Sequence, residues 1–121
     1  MRAGRFGLTV WLVVIGSCHA AGTFDGTYVG TREVTRGFLP YCQQDNNYKI
    51  VVLDNRFSFH FWKFWVEVNI DPDGNFETVT SYSDGKAEQR VYTSGRVNSR
   101  SLDYIVDATC AFKHHLVLQS Q

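Results

Sequence analysis

Arg56-Phe57-Ser58-Phe59-His60-Phe61-Trp62-Lys63-Phe64-Trp65-Val66-Glu67-Val68-Asn69-Ile70 is the stretch that decides the fold. Phe57, Phe59 and Phe61 alternate with Ser58 and His60, and Val66, Val68 and Ile70 alternate with Glu67 and Asn69. A period of two places one set of side chains on a buried face and the other in water, the pattern of a half-buried strand. Trp62 and Lys63 interrupt the alternation, so the chain is expected to reverse there. The segment predicts a β-hairpin with strands over 56–61 and 65–70.

The same period runs outward in both directions. Phe76, Thr78 and Thr80 are separated by Glu77 and Val79, and Cys110, Phe112, His114, Leu116 and Leu118 share one face. Asp54-Asn55, Asp71-Pro72-Asp73-Gly74-Asn75, Ser83-Asp84-Gly85-Lys86 and Asn98-Ser99-Arg100 supply turn chemistry between them. Eight strands are expected, over 25–34, 47–53, 56–61, 65–70, 75–81, 88–98, 101–107 and 110–119. The fold class is all-β, an antiparallel meander. Closure into a small barrel would remove its exposed edges, and a two-sheet sandwich is the alternative. The long connection is Thr35 to Asn46.

The N-terminus reads differently. Arg2 and Arg5 precede an uncharged, mostly apolar run of eleven residues, Phe6 to Gly16, followed by small residues. This order is that of a secretory signal, and the run is well short of the roughly twenty residues that span a bilayer. Cleavage after Ala20 would leave a domain over 21–121. Alternatively Ile15-Gly16-Ser17-Cys18 is a lipobox, with residues 1–17 removed and Cys18 lipidated, and that anchor would then be the chain's membrane contact. Either route implies export, to the periplasm or beyond, and leaves one cysteine pair, Cys42 and Cys110. In an oxidising compartment that pair is expected as a disulfide. Its long loop is worth about 4 kcal/mol in the chain-entropy model.

Without Arg2 and Arg5, ten Lys and Arg face twelve Asp and Glu, a formal charge of −2 on the mature chain. No basic stripe or arm is present, so nucleic acid is not an expected partner.

The opening Phe24-Asp25-Gly26-Thr27-Tyr28-Val29-Gly30, the turn Asp73-Gly74-Asn75-Phe76, Gly95-Arg96-Val97-Asn98 before Leu102, and the final strand with Cys110 and Phe112 carry a resemblance. The chain resembles a family of small exported bacterial proteins, mostly uncharacterised and frequent in alphaproteobacteria. That resemblance implies a β-barrel-like fold and export, and transfers no catalytic or binding residue.

Candidate chemistry is sparse. Asp71 to Glu77 has its glycine at the fourth position of the segment, not the sixth that a calcium loop needs, and reads as a hairpin turn. His114 and His115 are neighbours on one strand, so they point to opposite faces and cannot share a metal. No serine sits in a nucleophile elbow, and Asp103 and Asp107 read as charges on an outer strand face. No catalytic residue, metal or cofactor is expected. The remaining feature is the six aromatics within the nine residues Phe57 to Trp65. One small core is not expected to bury them all, so at least one of Trp62, Phe64 and Trp65 should be exposed. With Lys63 they form the candidate contact patch for a protein or small-molecule ligand. The expected function is an exported binding module, inhibitor-like or carrier-like. A structural accessory of the envelope and, more remotely, a small hydrolase are the alternatives.

Overall fold

The computed structural model describes residues 22–37, 40, 42–83 and 85–120. The signal segment and Cys18 lie outside the described residues. Eight strands follow in chain order: β1 (Gly26–Arg36), β2 (Asp45–Val52), β3 (Arg56–Phe61), β4 (Phe64–Asn69), β5 (Asn75–Ser83), β6 (Glu88–Asn98), β7 (Ser101–Asp107) and β8 (Ala111–Ser120). Every pairing is antiparallel.

The meander is as expected, but the barrel is not closed. Six strands form one sheet in the order β2-β1-β8-β7-β6-β5, and β3-β4 stands apart as a two-stranded sheet. The architecture is therefore nearer the two-sheet alternative. The meander returns on itself at β1–β8, and two seams remain, between β2 and β3 and between β4 and β5. Ring size explains the split. Phe57, Phe59 and Phe61 on β3 all point inward, where Phe76 and Tyr104 already stand. Phe57 lies 5.4 Å from Phe76 and 5.5 Å from Tyr104, and Phe59 lies 5.7 Å from Tyr104. Filling that space with rings sets the hairpin back as a second layer, since face-to-face sheets need about 10 Å.

The turns hold this arrangement. Asp54 and Asn55 both take φ of 56°, the left-handed pair of a tight two-residue hairpin turn. Leu53 and Arg56 exchange backbone hydrogen bonds of 2.8 and 3.1 Å across it. The Asp25 carboxylate caps the turn, accepting from the N–H groups of Gly22, Asp54 and Asn55. Burial opposes its ionisation, but these three bonds together hold its pKa below the ordinary carboxylate value. The Asp71 loop is also a turn: Gly74 has φ of 91°, and Asp71 Oδ1 accepts from Asp73 and Asn75 N–H.

Cys42 and Cys110 form a disulfide with a Cα separation of 5.6 Å. It ties the connection before β2 to the turn before β8. The core face is the one alternation indicates: Tyr28, Ile50, Val52, Phe57, Val66, Val68, Leu102 and Leu116 are buried. Gly95 on β6 stands opposite Tyr104 on β7. A Cβ there would lie 2.3 Å from the Tyr104 Cβ, so only glycine leaves that ring its place.

Candidate functional site

The aromatic segment divides into two halves with different surroundings. Phe61 pairs with Phe64 across the hairpin, so Trp62 and Lys63 are the two turn residues. Trp62 has φ of 57°, an uncommon conformation for a bulky side chain. Its ring lies 5.8 Å from Phe64 and 6.0 Å from Tyr82, and the Lys63 ammonium sits 5.3 Å from its centroid. Phe64 is half-buried, 4.3 Å from Tyr82 on β5. These rings therefore bridge the β4–β5 seam, although Trp62 keeps 42% of its surface exposed. Trp65 points the other way. It is 63% exposed and packs against His60 at 4.4 Å, on the outer face of the hairpin.

The second seam is open. Beyond the Leu53–Arg56 bridge, β2 and β3 form no ladder. Between them runs a groove of about 480 Å³, lined by Arg32, Tyr48, Val51, Phe59, His60 and Trp65 among others. This volume lies within the range of small-molecule sites. Of the four candidate contact residues, only Trp65 lines it.

Below the groove lies a polar cluster that the alternation alone did not single out. Arg32 lies on the core side of β1, beside His114 of β8. Its guanidinium carbon is 4.6 Å from the Phe112 centroid and 5.4 Å from that of Tyr48, and its Nε donates to Gln43 O at 2.9 Å. His114, opposite Tyr104 across the β7–β8 pair, stacks on that ring at 4.0 Å with an interplanar angle of 3°. His114 Nδ1 lies 3.3 Å from Tyr104 O, which makes it the donor to that carbonyl. Burial pushes the His114 pKa down to about 3, and the Arg32 charge adds to this. The imidazole is therefore neutral at ordinary pH.

Two phenols complete the cluster. Burial raises the pKa of Tyr48, and burial raises that of Tyr104 further, so both keep their protons and remain donors. The Tyr104 hydroxyl is directed toward Tyr48 and the Arg32 charge. It nevertheless makes no hydrogen bond of acceptable geometry, one of two such buried side-chain atoms among the described residues; the other is Thr93 Oγ1. An unpartnered buried hydroxyl costs about 1–3 kcal/mol. Chemically, the cluster offers a cation, two O–H donors and aromatic walls, with Asp45, opposite Arg32 on β2, as the acid at its edge.

The other candidates fall elsewhere. His114 and His115 do point to opposite faces: His115 is exposed and pairs with Asp103 on the outer sheet surface. Asp107 pairs with Arg36 at 2.6 Å on the same outer face. No group of three His, Cys, Asp or Glu is placed to hold a metal among the described residues.

Arg32, Tyr48, Tyr104 and His114 were missed as site residues. The available signal was an arginine and a histidine on core-facing positions, Tyr28-Gly30-Arg32-Val34 and Phe112-His114-Leu116. Comparison with known proteins finds no matching family model, no matching curated protein and no matching solved structure.

Proposed function

We propose that the protein is an exported binding module that takes a small ligand into the groove between β2 and β3. The observation that carries this reading is the open seam itself. Two consecutive strands joined by a tight turn would ordinarily pair along their length. Here they part after one bridge and leave an aromatic-lined groove with a largely exposed tryptophan on its wall. Exposing a Trp forgoes on the order of 2 kcal/mol of burial, which favours a contact role for it. A filled seam would have favoured a structural accessory without a ligand. The exposed Asp103–His115 pair lies on a sheet face, away from the β2–β3 groove, and Asp103 lines a depression of about 260 Å³ that includes Ser94 but not His115, which lends a hydrolase reading little support.

Export is part of the proposal. The Cys42–Cys110 disulfide is compatible with it, because such bonds persist in oxidising compartments. The mature chain would be free in the periplasm or medium, or tethered through a lipid on Cys18.

An uncharged aromatic probe tests the binding reading. N-Phenyl-1-naphthylamine fluoresces on entering an apolar site. The wild-type protein should bind it saturably, with one probe per chain. Trp65→Ala should weaken binding at least fivefold while the melting temperature stays within about 1 °C, since the ring is mostly in water. Absence of saturable binding, or identical binding by Trp65→Ala, would count against the groove.

A further inference from the structure

We infer that the groove is built for a small organic anion: a flat aromatic or apolar body carrying one acidic group, which Arg32 and the Tyr104 hydroxyl hold. The inference rests on the groove being a ligand site, as proposed above, and adds the chemistry of what enters.

Four observations converge on it. Arg32 is a cation on a core-facing position, and it forms no ion pair among the described residues. Its Nε donates to Gln43 O, and its remaining donors lie toward the Tyr48 hydroxyl at the groove. A half-buried guanidinium over two rings, with Asp45 opposite it on β2 but no carboxylate at ion-pair distance, can partner an anion. Second, the Tyr104 hydroxyl is buried beneath the groove, with the Tyr48 hydroxyl and the Arg32 charge as its polar neighbours, and makes no hydrogen bond of acceptable geometry. A buried donor without a well-formed bond is expected to gain one in the functional state. Third, the groove lining includes Arg32 and Lys49 but no aspartate or glutamate; the adjoining hollow at the Leu53–Arg56 end of the seam holds Glu67 together with Arg56. Fourth, Tyr48, Phe59 and Trp65 supply ring faces for a flat body. In the bound state one acid oxygen accepts from Arg32 Nη and from Tyr104 Oη, the Tyr48 hydroxyl stands beside them, and the body lies toward Trp65 at the outer rim.

The test compares two probes of similar shape. 8-Anilinonaphthalene-1-sulfonate is anionic, and N-phenyl-1-naphthylamine is its uncharged counterpart. Both are titrated into the folded wild type, Tyr104→Phe, Arg32→Gln and Trp65→Ala. Tyr104→Phe removes an oxygen that makes no hydrogen bond of acceptable geometry, so its thermal stability should change little, which separates binding from folding.

The wild type should bind the sulfonate more tightly than the amine, by about tenfold or more. Tyr104→Phe should weaken the sulfonate about five- to tenfold, and Arg32→Gln at least tenfold. Neither change should move the affinity for the uncharged probe by more than about twofold, and Trp65→Ala should weaken both. If the two probes bind equally, and Arg32→Gln and Tyr104→Phe leave the sulfonate unaffected, the anion inference is overturned while the binding-module reading stands. If neither probe binds saturably, or Trp65→Ala leaves both unchanged, the groove itself is overturned and the inference goes with it.

Discussion

His114 is the residue at which packing and chemistry are most tightly joined. Its ring is 2% exposed and stacked on Tyr104, where burial holds its pKa near 3 against 6.5 for a free imidazole. The native state therefore stays unprotonated where the unfolded chain takes up a proton. The contribution is fully present above pH 6.5 and is lost as pH falls from there toward 3. The slope approaches 1.4 kcal/mol per pH unit. Asp25, whose pKa lies below the ordinary carboxylate value, acts in the same direction only at lower pH. Urea unfolding at pH 7.0 and 5.0 should thus show a stability loss of about 2 kcal/mol. His114→Phe, which keeps a ring against Tyr104, should remove most of that loss. An equal loss in the variant would mean that other groups carry it. The adjacency of His114 and His115 made their opposite orientations legible in the sequence. Which of the two was buried followed from the company of Phe112 and Leu116. The stacking partner did not, because Tyr104 is ten residues away and register is not visible in alternation.

At the scale of elements the β3–β4 hairpin is decisive, since it leaves one seam plugged and the other open. Trp62, Phe64 and Tyr82 close the β4–β5 side. Trp62 is partly exposed and carries a left-handed backbone, which costs on the order of 1–3 kcal/mol. Removing a fully buried Trp side chain costs about 3–5 kcal/mol. Trp62→Ala should therefore destabilise by roughly half of that, about 1.5–2.5 kcal/mol in chemical denaturation. Trp65→Ala should change stability by less than about 0.5 kcal/mol, as its ring is largely in water. Equal costs would remove the distinction between plug and groove wall. The strands themselves were legible. Alternation and turn residues place all eight, and the ends differ by one or two residues at most positions. The two-residue differences fall at the end of β5 and around the Thr35–Asn46 connection, where β1 extends to Arg36 and β2 begins at Asp45, because strand pairing there orders polar residues that show no apolar period. The splitting into two sheets was not legible. A period of two says which face a residue takes, but not whether neighbouring strands stay within hydrogen-bonding distance once Phe57, Phe59 and Phe61 compete for one interior.

For the whole molecule, the arrangement is a meander that closes on itself at β1–β8 and is stapled by Cys42–Cys110, with one hairpin held off the main sheet. Its interior is apolar toward the end that holds Tyr28, Val52 and Leu118, and polar where Arg32, Tyr48, Tyr104 and His114 meet beneath the open seam. The aromatic half of the candidate site was visible in the sequence as a local excess of rings around Trp65. The polar half is assembled from β1, β2, β7 and β8, so no local pattern announces it. Amide shift mapping on isotopically labelled protein, titrated with 8-anilinonaphthalene-1-sulfonate, tests the central claim most directly. The expected result is a saturable set of shifts confined to Arg32, Tyr48–Val51, Ser58–His60 and Trp65, with Tyr104 and His114 responding beneath them. Shifts restricted to the Trp62–Lys63 tip, or scattered over the outer sheet face with the seam residues silent, would contradict it.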